Sequence, residues 1–182
     1  IEATHPIYQR REKSLSGYLG FEAANLKGEL FQGAVPLSKD ETRTVYAGLE
    51  GDFAVDEWSF AGNLELRQGL RWFHASARGD ANLARSEADP FTRVVSGELL
   101  TETPELWGMK AEIDLRGQWA NAPLMAIEEF SFGNYTVGRG YDPGAAAGDS
   151  AIAAAITLSG FEQRFWNDRI GTEFVAFYDI GR

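Results

Sequence analysis

Apolar and polar residues alternate one by one along much of this chain, most clearly between Trp107 and Trp119. In that segment the odd-numbered positions are apolar or glycine, and the even-numbered positions from Lys110 to Gln118 are polar and mostly charged. Because successive side chains of a β-strand point to opposite faces, the pattern predicts one long strand with an apolar face and a polar face. Tilted by about 40°, a strand of this length spans a bilayer core and brings a tryptophan near each lipid interface.

Weaker alternation of the same kind recurs along the rest of the chain, and stretches containing glycine, proline or asparagine separate the alternating segments. Short alternating runs between turn residues are typical of strands joined as hairpins. We therefore predict an all-β, antiparallel chain of about eight strands. The predicted strands cover residues 15–24, 45–52, 58–67, 91–101, 107–119, 127–133, 151–161 and 172–180.

Two architectures fit this alternation, and they differ in what the apolar face meets. In a soluble barrel or sandwich the apolar face is buried and the charges meet water, whereas in an outer-membrane barrel the apolar face meets lipid and the charges line the lumen. The length of the strand at 107–119, its two tryptophans and the small residues within its apolar stripe favour the membrane. We expect an antiparallel transmembrane β-barrel, with a soluble ligand-binding barrel as the alternative.

Composition and charge argue against several classes of function. The 182 residues suggest one domain, and 27 acidic against 17 basic side chains give a formal net charge of −10, which argues against a nucleic-acid binder. The chain has no cysteine, and its two histidines, His5 and His74, lie far apart without carboxylates at ligand spacing. The G-x-S-x-G motif of serine hydrolases does not occur. We expect no metal, no cofactor and no enzymatic activity.

The most informative stretch is a loop sequence between two predicted strands. It has Phe-Ser-Phe-Gly at 130–133, Val-Gly-Arg-Gly-Tyr at 137–141 and Gly-Asp at 148–149, and the chain later carries Phe-Tyr-Asp-Ile-Gly at 177–181. These motifs resemble the signature of the two-partner secretion transporters, the TpsB family, which exports haemolysins and filamentous haemagglutinins. The resemblance extends from about residue 5 to residue 181. One departure is Gly138, which separates a valine and an arginine that the family usually joins directly.

The resemblance implies a structural role for these motifs. The family is built on a transmembrane barrel of about sixteen strands, and its long loop folds back into the lumen, where an arginine meets an acidic residue of the wall. Carried over to this chain, Arg139 would pair with Asp179. The luminal loop motif would consist of Arg139, Gly140 and Tyr141, and the partner motif on the barrel wall of Phe177, Asp179 and Gly181.

The resemblance also implies a function and a location. We expect a pore in the outer membrane of a bacterial cell that exports an unfolded partner exoprotein of the haemolysin or adhesin type. The lipid bilayer would surround this pore, and a larger membrane assembly could include it. Residues 1–182 would be a portion of a C-terminal barrel domain, with upstream POTRA domains and the final strands outside this chain. The alternatives are a barrel-assembly insertase of the same superfamily and a complete small barrel with a structural or adhesive role.

Overall fold

The computed structural model of the chain describes residues 1–30, 35–133, 137–166 and 170–182. The described residues form β-strands and one short 3-10 helix, at Ala126–Glu128. The strands are β1 (Glu2–Arg10), β2 (Lys13–Leu30), β3 (Val35–Val55), β4 (Trp58–Gly69), β5 (Arg93–Glu102), β6 (Met109–Ala120), β7 (Phe130–Phe132), β8 (Ala146–Gly148), β9 (Ala151–Phe165) and β10 (Ile170–Gly181).

Eight of these strands form one antiparallel sheet in the order β1-β2-β3-β4-β5-β6-β9-β10. Each strand of this main sheet therefore pairs with its neighbour along the chain, except where β9 follows β6. The strands β7 and β8 form a separate two-stranded hairpin within the connection between β6 and β9. The all-β, antiparallel architecture predicted from the alternation is confirmed.

Some strands differ from their predicted bounds. The prediction of a strand at 127–133 is wrong for the main sheet, because only Phe130–Phe132 is extended, and it belongs to the small hairpin. The alternation does not predict β1, whose sequence contains a proline and has polar residues at both ends. Trp107 lies in the turn before β6 with a positive φ of 54°, so that strand begins at Met109 and not at the first tryptophan.

Short turns and long connections lie at opposite ends of the main sheet. Residues 11–12, 56–57 and 103–108 join consecutive strands at one end. The other end carries two long connections, which we call the cap loop (residues 70–92) and the motif loop (residues 121–150). The β2–β3 hairpin projects beyond its neighbours there, since β3 has 21 residues but pairs with β4 only from Thr44 onward. This division between short turns and long loops is typical of outer-membrane barrels.

The two faces of the main sheet differ as the alternation predicts. One face carries apolar side chains, and Leu19, Leu64 and Trp119 on it are each more than half exposed. The opposite face carries polar side chains, and the motif loop folds over it. A soluble barrel would cover its apolar face, so this exposed apolar surface is the kind expected of a sheet that meets lipid.

The buried core is small and lies among the loops. Leu83, Ala88 and Met125 form one buried cluster, where the cap loop meets the motif loop. A second cluster lies where the motif loop meets β9. Among the described residues, no helix is long and apolar enough to cross a membrane.

Candidate functional site

The motif loop folds onto the polar face of the main sheet and is attached to it at its base. Gln118 of β6 donates hydrogen bonds from its side-chain amide to the carbonyl oxygens of Glu128 and Asp149, at 3.0 and 3.2 Å. Between these two attachment points the chain forms the β7–β8 hairpin. The Val-Gly-Arg-Gly-Tyr sequence lies beyond the paired strands, at the tip of this hairpin.

Small side chains on the wall allow the loop to lie close to the sheet. Ala153 and Ala155 of β9 are buried against Val137, and Phe130 and Phe132 pack on the same cluster. Protein interiors are close-packed, so larger side chains at the two alanines would occupy the volume that the loop fills. The alanine-rich start of β9 is therefore explained by the loop that covers it.

The guanidinium group of Arg139 binds Asp179 of β10. Its Nη2 donates to Asp179 Oδ1 at 2.6 Å, and its Nε lies 3.3 Å from Oδ1 and 3.2 Å from Oδ2. Its Nη1 donates to the hydroxyl oxygen of Thr157 on β9 at 2.7 Å. The ion pair is shielded from solvent, with side-chain exposures of 21% for Arg139 and 8% for Asp179. Charge-assisted hydrogen bonds of this kind are roughly twice as strong as neutral ones.

Asp179 also holds the backbone of the loop. The backbone N–H groups of Gly138 and Arg139 both donate to its Oδ2, at 2.9 and 2.8 Å. Gly138 has a φ of 82°, which residues with a side chain rarely adopt, and a Cβ there would lie 2.9 Å from the backbone nitrogen of Gly133. Consecutive N–H groups that converge on one anion form a nest. The additional glycine therefore allows the main chain of the loop to bind the same carboxylate as the arginine side chain.

Phe177 and Gly181 share the polar face of β10 with Asp179 and contact the loop on either side of it. The guanidinium carbon of Arg139 lies 4.4 Å from the centroid of the Phe177 ring, in cation–π geometry. A Cβ at Gly181 would lie 2.0 Å from Cε1 of Phe132, so the glycine leaves the space that the β7 phenylalanine occupies. All three residues of the wall motif thus contact the motif loop.

The other two residues of the loop motif lie away from the wall. Tyr141 is 73% exposed, and its backbone N–H donates to the carbonyl oxygen of Gly138 at 2.9 Å. Gly140 is exposed, with open space where a Cβ would stand. The structure therefore brings Arg139 to Phe177 and Asp179 and leaves Gly140 and Tyr141 on the solvent side of the loop tip.

The sequence motifs do not indicate Thr157, although it binds Arg139. Thr157 stands opposite Phe177 in the β9–β10 pairing and opposite Glu112 in the β6–β9 pairing. The alternation of β9 could have placed it on the polar face. Nothing in its sequence surroundings distinguishes it from the other polar residues of that face.

Acidic side chains predominate on the polar face around the site. Glu112 and Asp114 of β6 project to the same face as Asp179, through the register of β6, β9 and β10. The Asp179 carboxylate and, less strongly, these two neighbours raise the pKa of Arg139, which stays charged at any physiological pH. Within the described part of the chain, no three His, Asp or Glu side chains are grouped so that they could hold a metal ion. Further carboxylates on this face belong to Glu50, Asp52, Glu65 and Glu98.

Comparison with known proteins identifies the family of this chain. A sequence model described as Haemolysin secretion/activation protein ShlB/FhaC/HecB matches residues 1–182. The chain belongs to this family. A search of curated proteins gives no significant match.

Two solved structures share the fold. CdiB from Escherichia coli has a TM-score of 0.74 and 17% sequence identity, over 87% of this chain and 29% of the CdiB chain. CdiB from Acinetobacter baumannii has a TM-score of 0.68 and 17% identity, over 87% of this chain and 27% of that chain. The likeness establishes the fold, and the chain spans less than a third of the length of either solved protein.

Membership of the haemolysin secretion/activation family confirms the resemblance that the loop and wall motifs indicate. The family comprises outer-membrane β-barrel transporters of two-partner secretion, which have an apolar outer surface and a polar lumen. The main sheet is accordingly a portion of such a barrel wall. Its polar face carries the motif loop, and in barrels of this kind the polar face lines the lumen.

Proposed function

We propose that this chain forms part of an outer-membrane pore that exports an unfolded partner exoprotein of the haemolysin or adhesin type. Family membership supports secretion as the class of activity. The proposal depends mainly on the contact of Arg139 with Asp179, which attaches the motif loop to the luminal wall by polar bonds. Such bonds can be exchanged for bonds to water or to a passing polypeptide at modest net cost. The motif loop is therefore the element that moves aside when the exoprotein passes.

Export along this wall requires no catalytic group. The luminal face supplies charged and hydroxyl side chains that bind water, so an extended chain meets a wet surface with few apolar sites where it would adhere. We therefore assign no enzymatic step and no cofactor to these residues. The exposed apolar face supports an outer-membrane location with lipid as the neighbour, and a barrel with further strands and POTRA domains fits the greater length of the CdiB chains.

Arg139→Ala and Asp179→Ala, made separately in the full-length protein, test the role of the loop attachment. Each removes the ion pair, and losing a shielded charge-assisted hydrogen bond shifts a two-state equilibrium by about tenfold or more. An unattached loop has no fixed position on the wall and occupies the lumen in many positions, so we expect export of the cognate exoprotein to fall by about that factor in both variants. The measurement is the ratio of exoprotein in the medium to exoprotein in the cells.

The matched control is Arg78→Ala, which removes an exposed arginine of the cap loop. Folded barrels migrate differently from heated ones on detergent gels, so the same samples report whether each variant has assembled. Unchanged export by assembled Arg139→Ala and Asp179→Ala proteins would disprove the proposed role of the loop.

A further inference from the structure

A second arginine binds the motif loop, and it comes from the cap loop. Nη1 and Nη2 of Arg85 donate to the two carboxylate oxygens of Asp149, at 2.5 and 3.1 Å. Nη1 also donates to Oε1 of Glu129 at 2.9 Å, and Nε donates to Oε1 of Glu87 at 2.8 Å. All three guanidinium nitrogens thus have carboxylate partners, in a planar fork that lysine does not reproduce.

Two of the carboxylate partners of Arg85 lie at the two ends of the segment that carries the loop motif. Glu129 immediately precedes β7, and Asp149 immediately follows β8. Asp149 Oδ1 also accepts a hydrogen bond from the backbone N–H of Leu124 at 2.8 Å, and Arg85 Nη1 donates to the carbonyl oxygen of Leu124 at 3.3 Å. Arg85 and Asp149 therefore close the base of the hairpin whose tip carries Arg139.

The residues next to Arg85 are attached to the main sheet. The backbone N–H of Ala84 donates to Oδ1 of the buried Asp40 at 3.0 Å. The backbone N–H of Lys39 donates to the carbonyl oxygen of Asn82 at 2.7 Å. Both Lys39 and Asp40 belong to β3, so the position of Arg85 is set by a strand of the barrel wall.

The hairpin depends on these contacts because it is very short. Each of its strands has three residues, and an isolated hairpin is at best marginally stable even when it is longer. Its direction is consequently set by what holds its base and its tip. Asp179 holds the tip, and Arg85 holds the base together with Gln118 of β6.

We propose that Arg85 is a positioning residue of the transporter: by closing the base of the β7–β8 hairpin through Asp149 and Glu129, it directs the loop tip along the wall so that Arg139 meets Asp179. The proposal rests on the proposed function, in which the attached loop is the element that moves during export. The hydrogen bonds of Arg85 go to Glu87, Leu124, Glu129 and Asp149 and not to Asp179, so it acts through the hairpin.

The distance between two spin labels in the full-length, lipid-embedded protein tests this role. One label is attached at Gly140→Cys, at the loop tip, and the other at Glu57→Cys, in the turn between β3 and β4. Both positions are exposed, and these 182 residues contain no cysteine of their own. The protein with Arg85 intact should give one narrow distance distribution, measured by electron paramagnetic resonance.

Arg85→Ala should broaden this distribution and add a population at a shifted distance. Asp149→Asn should have the same effect, and it preserves an oxygen acceptor for Leu124 if Arg85→Ala fails to assemble. Arg85→Lys, which keeps the charge without the fork, should retain more of the narrow population than Arg85→Ala. Arg78→Ala, in the same loop, should leave the distribution unchanged.

A narrow, unshifted distribution in both Arg85→Ala and Asp149→Asn would overturn the proposal. Export assays on the same variants separate this inference from the function on which it rests. If the distribution broadens while export stays at the parent level, Arg85 positions the loop as proposed, and it is the role of the loop in secretion that fails.

Discussion

At the scale of single residues, Asp179 connects the motif loop to the wall through several hydrogen bonds to one carboxylate. Its carboxylate accepts hydrogen bonds from the guanidinium group of Arg139 and from two consecutive backbone N–H groups of the loop. A buried donor left without an acceptor costs more free energy than the bond itself contributes. Removing this carboxylate would therefore release both the side chain and the main chain of the loop tip.

Gly138→Ala tests the main-chain part of this contact. Alanine at a φ of 82° costs about 1–2 kcal/mol, so a larger fraction of molecules should have the tip detached from Asp179. We expect trypsin to cleave the released chain after Arg139 severalfold faster than in the parent protein. Gly144→Ala is the matched control, because Gly144 also has a positive φ of 74° but only a side-chain atom, at 3.9 Å, near its Cβ position. Equal cleavage rates in the two variants would show that the position of Gly138 beside Asp179 has no special effect.

The base of the loop should open only in strong acid. Hydrogen bonds from Arg85 hold the pKa of the Asp149 carboxyl below its ordinary value. Such a group stabilises the closed base at pH values above its ordinary pKa of about 4, and this contribution disappears as the pH falls through the lowered value. The spin-label distance from Gly140→Cys to Glu57→Cys should therefore stay narrow from about pH 7 to about pH 5 and broaden below about pH 4. Broadening at about pH 6 would contradict this assignment.

At the scale of elements, tyrosines packed over glycines fix the register of β2 and β3. Tyr46 lies over Gly20 and Tyr18 over Gly48, and each pair is directly opposed in the sheet. A Cβ would lie 2.2 Å from the Tyr46 ring at Gly20 and 2.3 Å from the Tyr18 ring at Gly48. A shift of β2 by one residue would turn Tyr18 to the lipid face and separate both rings from their glycines. The packing thus fixes the register of β2 and β3, the longest strand pair, and the cap loop is attached to β3 of this pair.

Gly48→Ala should destabilise the barrel more than Gly20→Ala. A Cβ at Gly48 would also lie 2.7 Å from the carbonyl oxygen of Leu64, a backbone atom of β4, whereas the close atoms at Gly20 belong to a ring that can turn. Overpacking typically lowers folding stability by about 1–3 kcal/mol. We expect the loss of stability to lie near the upper end of this range for Gly48→Ala and near the lower end for Gly20→Ala. Each full-length variant is heated before electrophoresis, and the temperature at which it stops migrating as the folded barrel ranks the stabilities of the two variants. The reverse order would contradict the account of this packing.

Alternation predicts the strands of the main sheet better than the connections between them. It places β6 correctly to within two residues, because the two faces of that strand meet lipid and water. It fails at 127–133, where Phe130 and Phe132 alternate with a serine as in a membrane strand but pack on the luminal wall. Alternation shows that a segment has two different faces. It does not show which partner each face will meet.

At the scale of the whole molecule, the motif resemblance predicts which loop and which strand meet, and the structure supplies the contacts. Sequence could not predict the attachment of the loop base, because Arg85 and Asp149 are 64 residues apart and belong to no common motif. The alternation also left open whether the apolar face is inside or outside. The family match favours a barrel whose polar face, on which the motif loop lies, lines the lumen.

Crosslinking from two adjacent positions of β6 tests most directly whether this wall is an export path. Glu112 stands opposite Thr157 on the luminal face, and Ile113 stands opposite Ile156 on the lipid face. A photo-crosslinking amino acid in place of Glu112 should capture the exoprotein during export, and the same amino acid in place of Ile113 should not. Equal capture at both positions, or no capture at Glu112 while export proceeds, would contradict the account.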